Sequence, residues 1–151
     1  MKVFILRGLP GCGKTTWIEK QIRHLSDAEQ ITVCSADHFH MRDGKYQFDA
    51  RNIGPAHNVC LDKFLRACEH SVACIYVDNT NISAWEFAPY YRLAEVLGYP
   101  VRILRIHCDP LVAWERNLHK VSLKTVLDMN HRLHNESLPP WWKEEIIPAT
   151  F

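Results

Sequence analysis

The sequence predicts a single three-layer α/β domain over residues 1–151, with a parallel sheet of about four strands in the order 2-3-1-4, flanking helices and a small helical lid. Three observations carry that expectation. A β-rich run, Lys2-Val3-Phe4-Ile5-Leu6-Arg7, leads into a glycine-rich turn, after which Trp17, Ile18, Ile22 and Leu25 recur at helical spacing. Three further apolar runs, residues 31–36, 72–77 and 101–107, follow helix-length segments, the alternation that right-handed crossovers between parallel strands produce. Two of these runs close on an aspartate, Asp37 and Asp78. Residues just past a strand end line the ligand crevice of an open parallel sheet.

The turn, Gly8-Leu9-Pro10-Gly11-Cys12-Gly13-Lys14-Thr15-Thr16, fits G-x-x-x-x-G-K-[ST] at every fixed position. Gly8, Gly11 and Gly13 permit backbone conformations that a Cβ would block, so the N–H groups of the stretch, Cys12 and Thr16 included, can wrap phosphate oxygens. Lys14 is then placed for the β- and γ-phosphates, and the Thr15 hydroxyl for Mg²⁺. The helix that follows points its positive end at the same anion. A nucleoside triphosphate with Mg²⁺ is the expected ligand.

Taken in order, the second strand delivers Asp37 beside those phosphates, where a carboxylate accepts or orients the proton of an attacking hydroxyl. The plainer reading of Asp37 is a turn or cap aspartate. Residues 41–55 are polar and turn-rich and predict a mobile loop over an acceptor pocket, with Arg42, Lys45 and Arg51 available to an anionic acceptor. A helix over roughly 56–70 carries Cys60, Leu61, Phe64, Leu65 and Cys68 on one face, with His57 on that face at the pocket end. The third strand ends on Asp78, placed to support Mg²⁺ directly or through water, and Asn79 and Thr80 follow on the acceptor side.

Ser83 and Glu86 form a capping box for a helix to about Leu97, which Pro89 should kink or delay, and Gly98 and Pro100 end it. The fourth strand, Val101 to His107, is followed by a helix capped by Asp109-Pro110 and another begun by Ser122, whose Leu123, Val126, Leu127 and Leu133 face inward. Between these helices lies a lid at about 115–122. Arg116 suits the transferring phosphate because its fork is planar and permanently charged, with Lys120 as the second cation. The ordinary reading of Arg116 is a surface helix arginine. Pro139-Pro140-Trp141-Trp142 reads as a hydrophobic clasp, and His131 and His134 as surface residues.

Composition bounds the partners. With 151 residues, of which 47% are hydrophobic, the chain suits one domain with a real core, and a formal net charge of +1 excludes a global polycation. Residues 101–134 hold six Lys/Arg against three acids, so any grip on nucleic acid is local. Six scattered cysteines show neither zinc spacing nor a disulfide framework and read as buried thiols in a reducing compartment. With no signal-peptide layout and no membrane-length apolar run, the expected location is the cytoplasm, with no membrane partner.

In combination, Gly8 to Thr16, Ser35-Ala36-Asp37-His38-Phe39, Phe48-Asp49 with Ala56-His57-x-x-Cys60, Val77-Asp78-Asn79-Thr80-Asn81 and Arg116-Asn117 resemble the polynucleotide 5′-hydroxyl kinase branch of P-loop kinases. Its relatives are phage polynucleotide kinase and the AAA-type small ATP-binding proteins. The resemblance covers nearly the whole chain and implies the P-loop NTPase fold and Mg²⁺-dependent transfer of the ATP γ-phosphate to a 5′-hydroxyl of DNA or RNA. It also implies Asp37 as general base and 116–120 as lid. His40 falls where the phage enzyme has an arginine on a substrate phosphate, and Lys120 falls near its lid arginine. Two other readings stay open from the residues alone: a small-molecule, nucleoside or nucleotide kinase, and an ATP-dependent switch or interaction module.

Overall fold

A computed structural model of the chain describes residues 1–25 and 30–151. Its centre is a parallel sheet of five strands: β1 (Lys2–Arg7), β2 (Ile31–Cys34), the strand Cys74–Asp78, the strand Val101–His107 and the strand Glu144–Pro148. A separate antiparallel hairpin supplies β3 (Met41–Arg42) and β4 (Lys45–Tyr46), so the later sheet strands are β5, β6 and β7 in chain order. The sheet order is β2-β5-β1-β6-β7. Its first four members reproduce the expected 2-3-1-4 arrangement, and β7 extends it beside β6. That fifth strand is hard to read because it is a short edge strand, Glu-Glu-Ile-Ile-Pro, with largely exposed side chains and no alternation of apolar and polar residues.

Alternation along the inner strands builds the three layers. Val3, Ile5, Ile75, Val77 and Ile103 point to one face, against Phe64 of α2 (Ile53–Glu69) and Phe87 of α3 (Ala84–Val96). Phe4, Leu6, Tyr76, Leu104 and Ile106 point to the other. There they meet Ile18 of α1 (Lys14–Ile22), Ala113 of α4 (Pro110–Arg116) and Val126 of α5 (Leu123–Asn135). All six cysteines are buried free thiols, and burial pushes the Cys34 thiol up to about 12. No described helix is long and apolar enough to cross a membrane.

Several local expectations are revised. The second strand stops at Cys34 because Ser35 accepts a hydrogen bond from the Asp37 N–H (3.3 Å) and opens a 3-10 turn, Ala36–His40. The segment expected as a loop contains the β3–β4 hairpin, turned at Asp43 and Gly44 in left-handed conformations, and a 3-10 turn at Ala50–Asn52. Helix α2 begins at Ile53, earlier than 56, since Pro55 is tolerated within a first turn. His57 is exposed and so leaves the buried face that holds Cys60 and Phe64. The capping box starts α3 at Ala84 despite Pro89, which lies on the exposed side with Trp85, the residue whose carbonyl it leaves without a donor. Leu127 is 43% exposed instead of inward. Of the tryptophan pair, Trp142 packs on Phe87 and Tyr91 while Trp141 faces outward.

Candidate active site

The ends of β1, β2 and β5 converge on one cleft of about 650 Å³, bounded by the glycine-rich loop, the turn after β2, the first turn of α2 and the segment after α4. The loop's shape depends on glycine at two places. A Cβ on Gly11 (φ +79°) would lie 2.1 Å from the Ala113 carbonyl oxygen, and one on Gly13 (φ +93°) 3.0 Å from that of Thr150. Gly8 N–H donates to the Thr80 carbonyl (2.9 Å), tying the loop to the chain leaving β5. Lys14 is buried, its Nζ donating to the carbonyls of Gly8 (3.0 Å) and Leu9 (2.8 Å), so the ammonium is held against the loop.

Thr15 Oγ1 donates to Asp78 Oδ2 at 2.7 Å. Hydroxyl and carboxylate are hard oxygen donors, adjacent and beside the phosphate loop, and they fit Mg²⁺, which prefers one or two protein oxygens plus phosphates. Burial holds the Asp78 carboxyl above its ordinary range, against the opposing pull of Lys14 and the Thr15 hydrogen bond. A carboxyl raised on folding stabilises the fold below its unfolded value, and that contribution is lost as pH rises through the folded value. At pH 7 the charge therefore costs stability. Asp78→Asn should raise the unfolding midpoint of the ligand-free protein at pH 7 by about 2–4 °C, worth about 1 kcal/mol in a domain of this size. It should also weaken Mg²⁺-dependent nucleotide binding. Calorimetric melting with and without Mg²⁺ and ATP checks both, and an unchanged or lower ligand-free midpoint contradicts the expectation.

Asn79 acts as a splint between strand ends, its Oδ1 accepting from Ala36 N–H (2.9 Å) and its Nδ2 meeting Cys60 Sγ (3.6 Å). It thereby sets where the chain turns toward Asp37. Asp37 itself is half exposed, with Tyr46 Oη donating to Oδ1 at 3.4 Å and His119 Nε2 lying 3.3 Å from Oδ2. Burial first, and then the Asp37 charge, push the Tyr46 phenol up to about 12, which keeps it a donor.

The remaining expected residues divide. Thr16, Asn79, Thr80, His57 and Arg116 line the cleft with Lys14, Thr15 and Asp37. His40 lines it too, but is buried among Phe39, Tyr46 and Phe48 and so is poorly placed as a substitute for a phosphate-gripping arginine. Cys12 is fully buried beneath the loop. Arg42, Arg51 and Lys120 lie outside the cleft walls, and Arg51 is exposed and paired with Asp49 (2.8 Å). The Arg116 guanidinium carbon stacks 3.7 Å from the Phe151 ring centroid, so its contact is with the residues beyond β7. The side chain of the 115–122 segment that reaches Asp37 is His119. Sequence reasoning missed it by searching that segment only for permanent cations.

A glycine-rich loop between a parallel strand and a helix, a buried lysine over it and a hydroxyl–carboxylate pair beside it define a nucleotide-binding P-loop domain with a kinase-like fold. The chain belongs to the AAA domain family AAA_33, whose model matches residues 3–130. It is 32% identical over 133 residues to human NEDD4-binding protein 2, a match covering 83% of this chain and 7% of that protein. Among solved structures it resembles a gluconokinase from Sinorhizobium meliloti, with TM-score 0.61 and 12% identity over 99% of this chain and 83% of that one. It also resembles a chain of a Pnkp1/Rnl/Hen1 complex, with TM-score 0.62 and 17% identity over 76% of this chain and 38% of the other. These likenesses show the fold.

Proposed function

We propose that this domain is an ATP-dependent phosphotransferase whose acceptor is the 5′-hydroxyl of a polynucleotide. One observation carries the reading: the Asp37 carboxylate shares a cleft with the phosphate loop and is flanked by a stacked aromatic pair, Tyr46 and Phe48 (centroids 6.5 Å, planes 12° apart), with Phe48 56% exposed. A carboxylate beside an open ring face suits a hydroxyl carried by a nucleoside whose base stacks nearby. The motif resemblance points the same way, while the fold neighbours include both a gluconokinase and a chain of the Pnkp1/Rnl/Hen1 complex and do not favour either acceptor.

In this mechanism the loop amides and Lys14 hold the triphosphate. Thr15 and Asp78 would hold Mg²⁺, which would supply neutralisation of phosphate charge there. Asp37 takes the acceptor proton as the hydroxyl oxygen bonds to the γ-phosphorus, and the bond from phosphorus to the bridging oxygen breaks, its electron pair leaving with ADP. Of the two cations first assigned to the transition state, Arg116 lines the cleft with its guanidinium on Phe151, and Lys120 lies outside the cleft walls.

One observation favours a small neutral acceptor instead: Arg42, Arg51 and Lys120 stand outside the cleft walls, so few cations meet a polyanion there. Transfer of labelled γ-phosphate to 5′-hydroxyl DNA and RNA oligonucleotides, 3′-mononucleotides, nucleosides and sugars decides between them. Oligonucleotide labelling that weakens with salt supports the proposal. Labelling of a sugar or nucleoside alone moves the protein to small-molecule kinases, and labelling of nothing moves it to a nucleotide-dependent switch. On the polynucleotide reading, Phe48→Ala should raise the oligonucleotide KM by about 5- to 150-fold, the 1–3 kcal/mol of one stacked base, with the ATP KM unchanged. An oligonucleotide KM that stays put removes Phe48 from the acceptor site.

A further inference from the structure

Asp37 is met by a histidine that the phosphate-site chemistry does not use. We propose that His119 is a positioning residue for the acceptor step, its Nε2–H holding one oxygen of Asp37 while the Tyr46 hydroxyl holds the other. The carboxylate is thereby fixed in one orientation and the 117–122 segment is drawn over the acceptor. This rests on the reading of Asp37 as the proton acceptor.

The segment is built to present His119. Asn117 brackets it, its Oδ1 accepting from the His119 N–H (2.9 Å) and its Nδ2 donating to the Val121 carbonyl (3.2 Å). Lys120 adopts a left-handed φ of 55°, a conformation that non-glycine residues seldom take and that turns the chain immediately after His119. That turn sends the histidine to Asp37 and leaves Lys120 outside the cleft walls. The imidazole also packs on Tyr46, with ring centroids 4.0 Å apart and planes at 44°.

The tautomer follows from the surroundings. His119 Nδ1 is buried without a hydrogen-bond partner among the described residues, and a buried bare acceptor costs less than an orphaned N–H. The proton therefore belongs on Nε2, facing Asp37. Of the other titratable groups, Tyr46 from the hairpin hydrogen-bonds Asp37, and the Asp37 charge reaches Asp78 at the end of β5. Asp37 is 53% accessible, and an ionised carboxylate has about four acceptor positions. Two are taken by Tyr46 and His119, so an acceptor hydroxyl still has a place to bind.

Two variants separate positioning from packing. His119→Phe keeps a ring on Tyr46 but has no donor, whereas His119→Gln keeps an N–H without the ring. The Phe variant should lose about tenfold in kcat, of the order of one hydrogen bond to a charged group, with the ATP KM within about twofold. The Gln variant should recover to within about threefold of wild type, which a role in packing alone would not produce. Wild-type kcat in the Phe variant overturns the proposal, as does equal impairment of both variants.

Amide hydrogen exchange over 117–122 reads the contact without any acceptor. It should quicken about tenfold in His119→Phe and in Asp37→Asn, and unchanged exchange in both overturns the proposal. If no acceptor is labelled, the exchange result still decides whether His119 and Asp37 hold each other, so the kinase reading can fail separately. An Asp37→Asn enzyme that turns over normally would overturn the base reading on which the proposal rests.

Discussion

If Asp37 is the proton acceptor proposed above, Asp37→Asn should lower kcat for phosphotransfer by about 10²- to 10⁴-fold while ATP affinity stays within about twofold, the range expected when a positioned proton acceptor is removed. The asymmetry follows from where the groups sit. On the proposed reading the triphosphate is held by the glycine-rich loop, Lys14 and the Thr15–Asp78 pair, between β1 and α1 and at the end of β5, whereas Asp37 belongs to the turn after β2. Asparagine preserves volume but keeps only one of the two oxygens that Tyr46 and His119 meet, so the 117–122 segment is held less firmly while the donor side of the cleft is untouched. What the proposed mechanism loses is the negative oxygen that would receive the acceptor's proton. Steady-state transfer to the best acceptor of the panel, with ATP binding by calorimetry, checks both halves. A kcat within tenfold of wild type would show that Asp37 is a turn aspartate, and parallel loss of ATP binding would place it on the donor side.

The donor half of this site is legible in the sequence because its physics is local. Nine consecutive residues from Gly8 to Thr16 hold the cradle, and Asp78 follows directly from a buried apolar strand. The first four strands of the sheet are legible for a similar reason, since each is a largely apolar run and the four are parallel, ending at the same edge. The acceptor half depends on contacts between residues far apart in the chain. Tyr46 meets Asp37 only because Asp43 and Gly44 turn a two-residue hairpin back over it, and His119 only because Lys120 takes a left-handed turn. Asp43-Gly44 does carry a hairpin signature, but nothing local says what the hairpin folds over, and the turn at Lys120 has no such signature. Arg116 and Lys120 carry the right chemistry for a phosphate, but the conformation of their segment gives one to Phe151 and leaves the other outside the cleft.

Arg7 shows the same limit in the core, and the second large effect comes from there. In the sequence it is the last residue of a β-rich run; in the fold its side chain is 1% exposed, directly before the phosphate loop. Burial pulls the guanidinium below its ordinary value, and Glu144 of β7 pulls it back up. Its Nε donates to the Asn81 carbonyl (2.8 Å), one Nη to that of Ile82 (2.6 Å) and the other to Glu144, while the group stacks 5.0 Å from the Phe87 ring centroid. The pair joins the central strand, the chain leaving β5 and the edge strand. Glu144→Ala leaves the buried cation without its counter-ion and should destabilise the domain by about 3–5 kcal/mol. That is a large part of the roughly 5–15 kcal/mol total stability of a domain. Arg7→Met removes the cation but leaves two carbonyls unpartnered, with Glu144 still 3.5 Å from Arg105, so it should also be destabilising. Once the cation is gone, however, Glu144→Ala has little left to disrupt, and the double variant should be more stable than the sum of the two losses predicts. Urea unfolding of the four proteins measures this coupling. A Glu144→Ala loss below about 1 kcal/mol would mean that the two carbonyls and the Phe87 ring suffice to hold the charge, and that β7 is anchored by its backbone ladder to β6.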